Sequence, residues 1–257
     1  MHEWLYGRNA VYEALRAGRR QFFRLRLALG VEEKGRLSQI VKTCQQYNIP
    51  LERVSRSQLD SLGVGHQGVA LETSSYPYSH QQDILKLAEK RNEAPLLLIL
   101  DSLQDPQNLG TLLRTADAVG VHGVFLPLRH AATVTPAMVN ASSGASEHLL
   151  ITQANLAQTI QSLKEAGIWI VGMEISPEAK TLHQVSLDGP LALVVGSEAE
   201  GMRRLIRQSC DFLLRLPMRG RIESLNAAVA GSIALYMAWQ ARNPTNTSDF
   251  NLPQSFL

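Results

Sequence analysis

The chain has 257 residues, enough for one large or two modest domains built around a hydrophobic core. Apolar residues make up 45% and charged residues 19%, which excludes a disordered or collagen-like chain, and the net charge is only +2. No apolar run reaches the roughly 20 residues of a membrane span. Met1-His2-Glu3-Trp4 lacks the basic flank and apolar stretch of a secretory signal, so a cytoplasmic protein with no membrane partner is expected.

The first third is the basic part: residues 1–75 hold 11 Lys/Arg against 7 Asp/Glu, whereas residues 76–257 hold 14 against 16. Val11, Ala14 and Leu15 define one helical face, and Phe22 to Leu29 alternates as a strand. Leu37, Ile40, Val41 and Cys44 form a second helical face, and Pro50–Val54 and Gly68–Leu71 are short strands. Residues 1–75 therefore read as a small α/β domain. Six arginines lie between Arg8 and Arg26, among them Arg19 and Arg20, against the single acid Glu13. Guanidinium forks match phosphates, so a nucleic-acid-facing segment is one expectation and a solvated helix face the other. The pattern breaks at Ser74 to His80, and residues 76–94 read as a linker with a helix over Asp83–Arg91.

From Pro95 onward strands and helices alternate. Leu96–Leu100, Gly123–Leu126, Leu149–Thr152, Ile168–Met173, Leu191–Val195 and Phe212–Leu216 are strand candidates. Leu109, Leu112, Leu113, Ala116 and Val119 line a helix that stops at Gly120, and Thr135-Pro136 is a helix start. Further helices are expected over Asn155–Ala166 and Gly201–Gln208. A last long helix carries Leu225, Ala228, Val229, Ser232, Ile233, Tyr236 and Met237 on one face. This alternation implies a mostly parallel sheet covered on both sides over residues 95–243, followed by a polar tail, 244–257, that is expected to fray.

Ligands of such sheets bind beyond the carboxyl ends of the strands. Three loops there hold polar residues too specific for plain turns. The first runs from Asp101 through Asn108 to Arg114. With the helix starting near Asn108, Asn108 is either a cap or a site residue. Arg114, among Leu112, Leu113 and Ala116, must be paired or face a cleft. The second, Gly196-Ser197-Glu198-Ala199-Glu200-Gly201, lacks the Lys-Ser/Thr of a triphosphate loop, and Glu198 would repel a phosphate. The third runs from Leu216-Pro217-Met218 through Arg219 and Arg221 to Ser224 and Asn226, with a helix starting near Glu223 or Ser224; Ser224 or Asn226 is a cap or more than a cap. The seven histidines are scattered and Cys44 and Cys210 stand alone, so no metal centre, hydrolase triad or disulfide framework is expected.

Together these loops resemble the motifs of the SpoU/TrmH family of RNA ribose 2′-O-methyltransferases. The matching residues are Asn108-Leu109-Gly110 through Arg114-Thr115-Ala116, Gly196-Ser197-Glu198 through Gly201, and Leu216-Pro217-Met218 followed by Ser224-Leu225-Asn226-Ala227-Ala228. Asn140 to Ala145 is similar to the family's small-residue segment. Tyr6 to Leu15 and His66 to Ala70 resemble the small RNA-binding domain of the branch that methylates guanosine in bacterial 23S rRNA.

The resemblance implies an α/β fold with a deep trefoil knot, S-adenosylmethionine as methyl donor, an RNA substrate and a homodimer. It places the cofactor near Gly196, Leu216, Met218 and Leu225, and Met173 stands where relatives often carry Thr. It assigns the reacting end to Asn108, Arg114, Glu198, Ser224 and Asn226. Arg114 acts there as a general base or as a cation that orients the ribose and stabilises its alkoxide. Arg8, Arg19, Arg20, Arg219 and Arg221 are expected to meet RNA. Guanosine of 23S rRNA is the first expectation. A tRNA or an adenosine target, or a knotted protein that binds RNA without transfer, are the alternatives.

Overall fold

A computed structural model describes residues 2–128, 133–198, 200–222 and 224–243. The expected tail, 244–257, and Glu223, one of the two expected helix starts, lie outside the described residues, and at Ser224, the other, the chain is not helical: the last helix begins at Ala227, capped by Asn226.

The N-terminal unit contains β1 (His2–Tyr6), α1 (Arg8–Ala17), β2 (Phe22–Ala28), α2 (Arg36–Gln46), β3 (Leu51–Val54), α3 (Arg56–Asp60) and β4 (Val69–Ser74). Its sheet runs β1-β4-β2-β3 and is antiparallel except where β2 pairs with β3. The alternation read in β2 sends Leu25 and Leu27 inward, where they meet the buried faces of α1 and α2. Sequence reading missed β1 and α3. β1 is five residues long with only its last two buried, and α3 is five residues long with one buried side chain, so neither displays a period.

The second unit follows α4 (Gln81–Arg91). It contains β5 (Leu96–Leu100), α5 (Pro106–Ala118), β6 (Gly123–Pro127), α6 (Pro136–Ala141), β7 (Ile151–Ala154), α7 (Leu156–Glu165), β8 (Trp169–Met173), β9 (Leu191–Val195), α8 (Arg204–Ser209), β10 (Phe212–Leu214) and α9 (Ala227–Arg242). The six-stranded sheet has the order β10-β8-β9-β5-β6-β7, and every pairing in it is parallel, as the alternation implies. β5, β6 and β9 are buried along their whole length, which is why they read as unbroken apolar runs.

Three sequence expectations change. α5 starts at Pro106 rather than near Asn108, because the Asp105 carboxylate caps it by accepting from the Gln107 amide at 3.1 Å. α9 turns its small residues inward: Ala228, Gly231, Ala234, Leu235 and Ala238 are buried, whereas Val229, Ile233 and Tyr236 face out. The helix lies so close to β9 and α5 that only the small face fits there. Third, the stretch after Ser74 connects the units but is not a free tether. The Ser79 amide donates to Ile151 O at 2.9 Å, Thr152 Oγ1 donates to Ser79 O at 2.9 Å, and the Tyr78 hydroxyl accepts from the Val134 amide at 2.9 Å. The hydrophobic cluster that spans both units runs from Leu5 and Leu25 in the first sheet through Tyr76 to Leu98 and Leu193 in the second, while Leu97, Phe125 and Val194 pack in a separate cluster of the second unit.

Arg19 and Arg20 correct the expectation of an RNA contact. They sit in this joint, and Arg20 is enclosed between carboxylates of both units. Arg24 and Arg26 lie over the Trp4 ring and pair with Glu72 and Glu52. Counting charges along the sequence overstated the free basic surface of the first third.

Gly110 sits where α5 crosses α6. A Cβ there would lie 2.5 Å from Ala141 Cβ, 2.7 Å from Ala141 C and 2.8 Å from Ser142 N. Helix propensity favours alanine over glycine by about 1 kcal/mol, but here the added methyl meets backbone. Gly110→Ala is expected to destabilise by about 1–3 kcal/mol, read as a lower midpoint in thermal denaturation followed by circular dichroism.

Candidate active site

Since β5, β8, β9 and β10 all run in the same direction, their carboxyl ends release loops on one edge of the sheet. The loop after β9 is tight. Ser197 and Gly201 exchange backbone hydrogen bonds of 3.0 Å in both directions. A Cβ on Gly196 would sit 2.3 Å from the Gly201 carbonyl carbon and 2.4 Å from Met202 N, so the loop closes only over glycine. Beneath it Asp101, fully buried at the end of β5, accepts from the Arg203 amide at 2.8 Å and from Arg203 Nε at 2.7 Å. Asp101 thereby ties the β5 loop to the residue that leads into α8. Sequence reasoning passed over it, although an acid directly after a buried apolar strand was the available signal.

Asn226 ends the third loop and caps α9: its Oδ1 accepts from the Ala228 and Val229 amides at 3.0 and 3.1 Å. Its Nδ2 donates to Asn108 Oδ1 at 2.9 Å and also to Glu198 Oε1. Asn108 Nδ2 donates to the same Glu198 oxygen at 3.1 Å. Asn226 is therefore both cap and site residue, and one residue from each of the three loops meets at a single point. Two amide dipoles aim at Glu198 Oε1. Oε2 accepts no hydrogen bond among the described residues, which leaves a carboxylate oxygen open to a polar ligand.

Behind this junction lies a cleft of about 410 Å³, within the range of roughly 300–1,000 Å³ usual for ligand sites. Gly196, Leu216, Met218, Leu225 and Met173, the residues expected around a cofactor, all line it. So do Ser224, Asn226 and Glu198. Two of the lining residues that sequence reasoning did not assign to the site carry charge. Arg215 brings a cation to the wall, and Glu174 lines it while holding Arg207 Nε at 2.7 and 2.9 Å.

Arg114 is not among the lining residues. It is exposed on α5 and has no hydrogen bond or ion pair among the described residues. Its neighbours Leu112, Leu113 and Ala116 point inward while Arg114 points out, so solvent meets the charge and no pairing partner is required. Arg219 and Arg221 are exposed on the third loop. Arg8 is half-buried, and its Nε donates to Gln67 O at 3.2 Å. Among the described residues no group of three or more His, Cys, Asp or Glu side chains is placed to hold a metal ion.

Fold and site together define a two-unit α/β protein with an apolar cleft at the carboxyl edge of a parallel sheet, closed by an Asn–Glu–Asn junction. The chain belongs to the SpoU rRNA methylase family, whose pattern matches residues 95–236. Residues 4–79 match the RNA 2′-O ribose methyltransferase substrate-binding domain. The chain is 42% identical over 245 residues to YacO of Bacillus subtilis (strain 168), a protein assigned to the TrmH family of tRNA/rRNA methyltransferases, and covers 95% of this chain and 97% of that one. It is 39% identical over 241 residues to a protein from Staphylococcus aureus (strain MSSA476) with the same assignment, covering 93% and 96%. In fold it is similar to the SpoU methyltransferase AviRb from Streptomyces viridochromogenes, solved in complex with AdoMet, with a TM-score of 0.77, 23% identity and coverage of 95% and 91%. A structure of an RNA 2′-O ribose methyltransferase aligns with a TM-score of 0.74 and 25% identity, over 94% and 89%.

The two duties of Asn226 are separable. Asn226→Ala removes cap and junction together, and the lost cap alone is expected to cost about 0.5–2 kcal/mol. Asn226→Asp keeps the capping oxygen but sets a second carboxylate against Glu198. Its thermal midpoint is expected to stay closer to wild type than that of Asn226→Ala, while ligand binding in the cleft falls as far in both.

Proposed function

We propose that the chain transfers a methyl group from S-adenosylmethionine to a ribose 2′-hydroxyl of RNA, with a guanosine of 23S rRNA as the target. The observation that carries this reading is the meeting of Asn108, Glu198 and Asn226 at the mouth of the cleft. It gathers the three motif loops at one point beside a chamber of ligand size.

The cleft fits such a donor. Leu216, Leu225 and Met173 offer apolar walls, and glycine at 196 leaves no side chain over the floor. When bound, the donor supplies an electrophilic methyl group on a positively charged sulfur. This chain's residues then have to bring a weak nucleophile into line and support its developing negative charge. A guanidinium stays protonated at ordinary pH. Arg114 therefore serves as the cation that orients the ribose and stabilises the forming alkoxide, rather than as the base, and the hydroxyl proton leaves to water as the bond to the methyl carbon forms and the bond to sulfur breaks. The free oxygen of Glu198 accepts from the target nucleotide, and Asn108 and Asn226 hold that carboxylate in place. Ser224 fixes the loop beside the donor. Arg219 and Arg221 meet RNA phosphates from the third loop, which is the ordinary use of exposed arginine at a nucleic-acid surface.

An unpaired nucleotide is the expected substrate, because A-form grooves hide base edges. The outward face of α9, with Val229, Ile233 and Tyr236 exposed in register, supports a homodimer. Family membership supports the trefoil knot and the ribosomal branch, and an rRNA substrate fits a cytoplasmic enzyme.

The test is to incubate purified protein with unmodified 23S rRNA and methyl-labelled S-adenosylmethionine, then hydrolyse with alkali. The expected product is a labelled, alkali-resistant dinucleotide whose first base is guanosine. Label released as mononucleotides would overturn ribose methylation, and label only on tRNA would overturn the ribosomal target. Arg114→Ala is expected to lower kcat on the order of 10²-fold while S-adenosylmethionine binding by calorimetry stays unchanged.

A further inference from the structure

The joint between the two units holds two arginines whose chemistry the methylation reading does not use. Arg20 lies in the turn between α1 and β2, with its side chain fully enclosed. Its Nε donates to Glu147 Oε2 and its Nη2 to Glu147 Oε1, both at 2.8 Å, a two-pronged fork. Its Nη1 reaches Glu3 Oε2 at 2.9 Å and Ser74 O at 3.0 Å. Glu3 and Ser74 belong to the first sheet. Glu147, 1% exposed, belongs to the second unit, in the 3-10 turn Ala145–Glu147. Burial pushes the Arg20 pKa down, and the hydrogen bonds and charges of Glu147 and Glu3 outweigh this, so it ends above its ordinary value.

Arg19 adds a second set of bonds. It donates to Pro77 O at 3.0 Å, Tyr76 Oη at 3.1 Å, Ser79 Oγ at 3.2 Å, Glu147 O at 3.3 Å and Leu149 O. At the rim His148 Nε2 lies 2.9 Å from Glu13 Oε2, again across the joint. The small-residue segment takes its place here too. A Cβ on Gly144 would lie 2.6 Å from Glu13 Cβ, and one on Gly7 would lie 2.5 Å from Asn140 Oδ1, so glycine at these two positions leaves room for the Glu13 side chain of α1 and the Asn140 side chain of α6.

Stability alone does not call for charge at this point. A buried ion pair loses most of its attraction to desolvation, and apolar residues of equal volume often serve as well or better. What an apolar contact lacks is direction. The planar fork of Arg20 accepts the Glu147 carboxylate at one angle only, and a slipped joint leaves a buried charge unpaired.

We propose that Glu147 is a positioning residue: through Arg20 it locks the N-terminal unit at one angle to the methyltransferase unit, so that RNA held by the first enters the cleft of the second in register. The inference rests on the proposed methyl transfer for its kinetic test, but not for its structural test.

Two variants decide it. Glu147→Gln weakens the fork. The double variant Arg20→Met/Glu147→Leu replaces it with apolar contacts of similar volume and restores folding if the single variant melts early. With the RNA that wild type methylates, the expected result is a KM for RNA about tenfold higher in both variants. At saturating RNA kcat is kept, and S-adenosylmethionine affinity by calorimetry is unchanged. Small-angle X-ray scattering on the double variant is expected to give a larger radius of gyration, and this readout needs no activity. A folded double variant with wild-type KM would overturn the proposal, as would a wild-type scattering curve. A fall in kcat at unchanged KM would overturn it as well, by moving Glu147 into the chemical step. If wild type binds no donor and methylates nothing, the proposed function fails, and the scattering comparison still decides the role of Glu147.

Discussion

All five pairings of the six-stranded sheet are parallel, and that constraint arranges the rest of the molecule. Parallel strands cannot be joined by tight turns, so each connection has to cross a face of the sheet, and all but the one between β8 and β9 do so with an α-helix. The loops that matter are therefore forced onto one edge, beyond Leu100, Met173, Val195 and Leu214. A cleft at that edge costs the fold little, because the strands beneath are buried and rigid while the loops are free to carry polar side chains. Asp101 and Gly196 adapt the backbone to this edge, and the Asn108–Glu198–Asn226 junction draws its loops together.

Much of this was legible beforehand, for reasons that can be stated residue by residue. Buried strands announce themselves as apolar runs, and Thr135-Pro136 marks a helix start by side-chain chemistry that the structure repeats, with Thr135 accepting from the Met138 amide. The motif loops were legible as polar residues at strand ends. Three things were not. Periodicity chose the wrong face of α9, because a helix that is apolar all round carries no period to read and tertiary crowding decides instead. The environment of Arg114 was misjudged because apolar neighbours in sequence are not neighbours on a helix surface. And the partner of Arg20 lies 127 residues away, a distance at which no local rule operates.

The arginines show how little a charge count says about function. Within one segment, Arg20 is sealed between carboxylates, Arg24 and Arg26 cover a tryptophan, and Arg16 is exposed to solvent beside Glu13. Among the described residues, Arg114, Arg219 and Arg221 are exposed with no ion pair, and they lie in residues 76–257, the part of the chain that carries the net negative charge. Guanidinium groups serve in this protein as mortar as well as contact surface, and only burial tells the two apart.

The enclosed Arg20–Glu147 fork also bears on how such a protein can change over generations. Its two halves are written in distant stretches of the chain, and the small unit resembles a module that recombination could exchange as a piece. An exchange that brought in Arg20 without its acid, or kept Glu147 without its arginine, would strand a buried charge at a cost of about 3–5 kcal/mol. That is a large share of the stability a domain of this size commonly holds. A small unit placed on this methyltransferase unit therefore keeps the joint paired only if it brings an arginine at the position of Arg20 to meet Glu147.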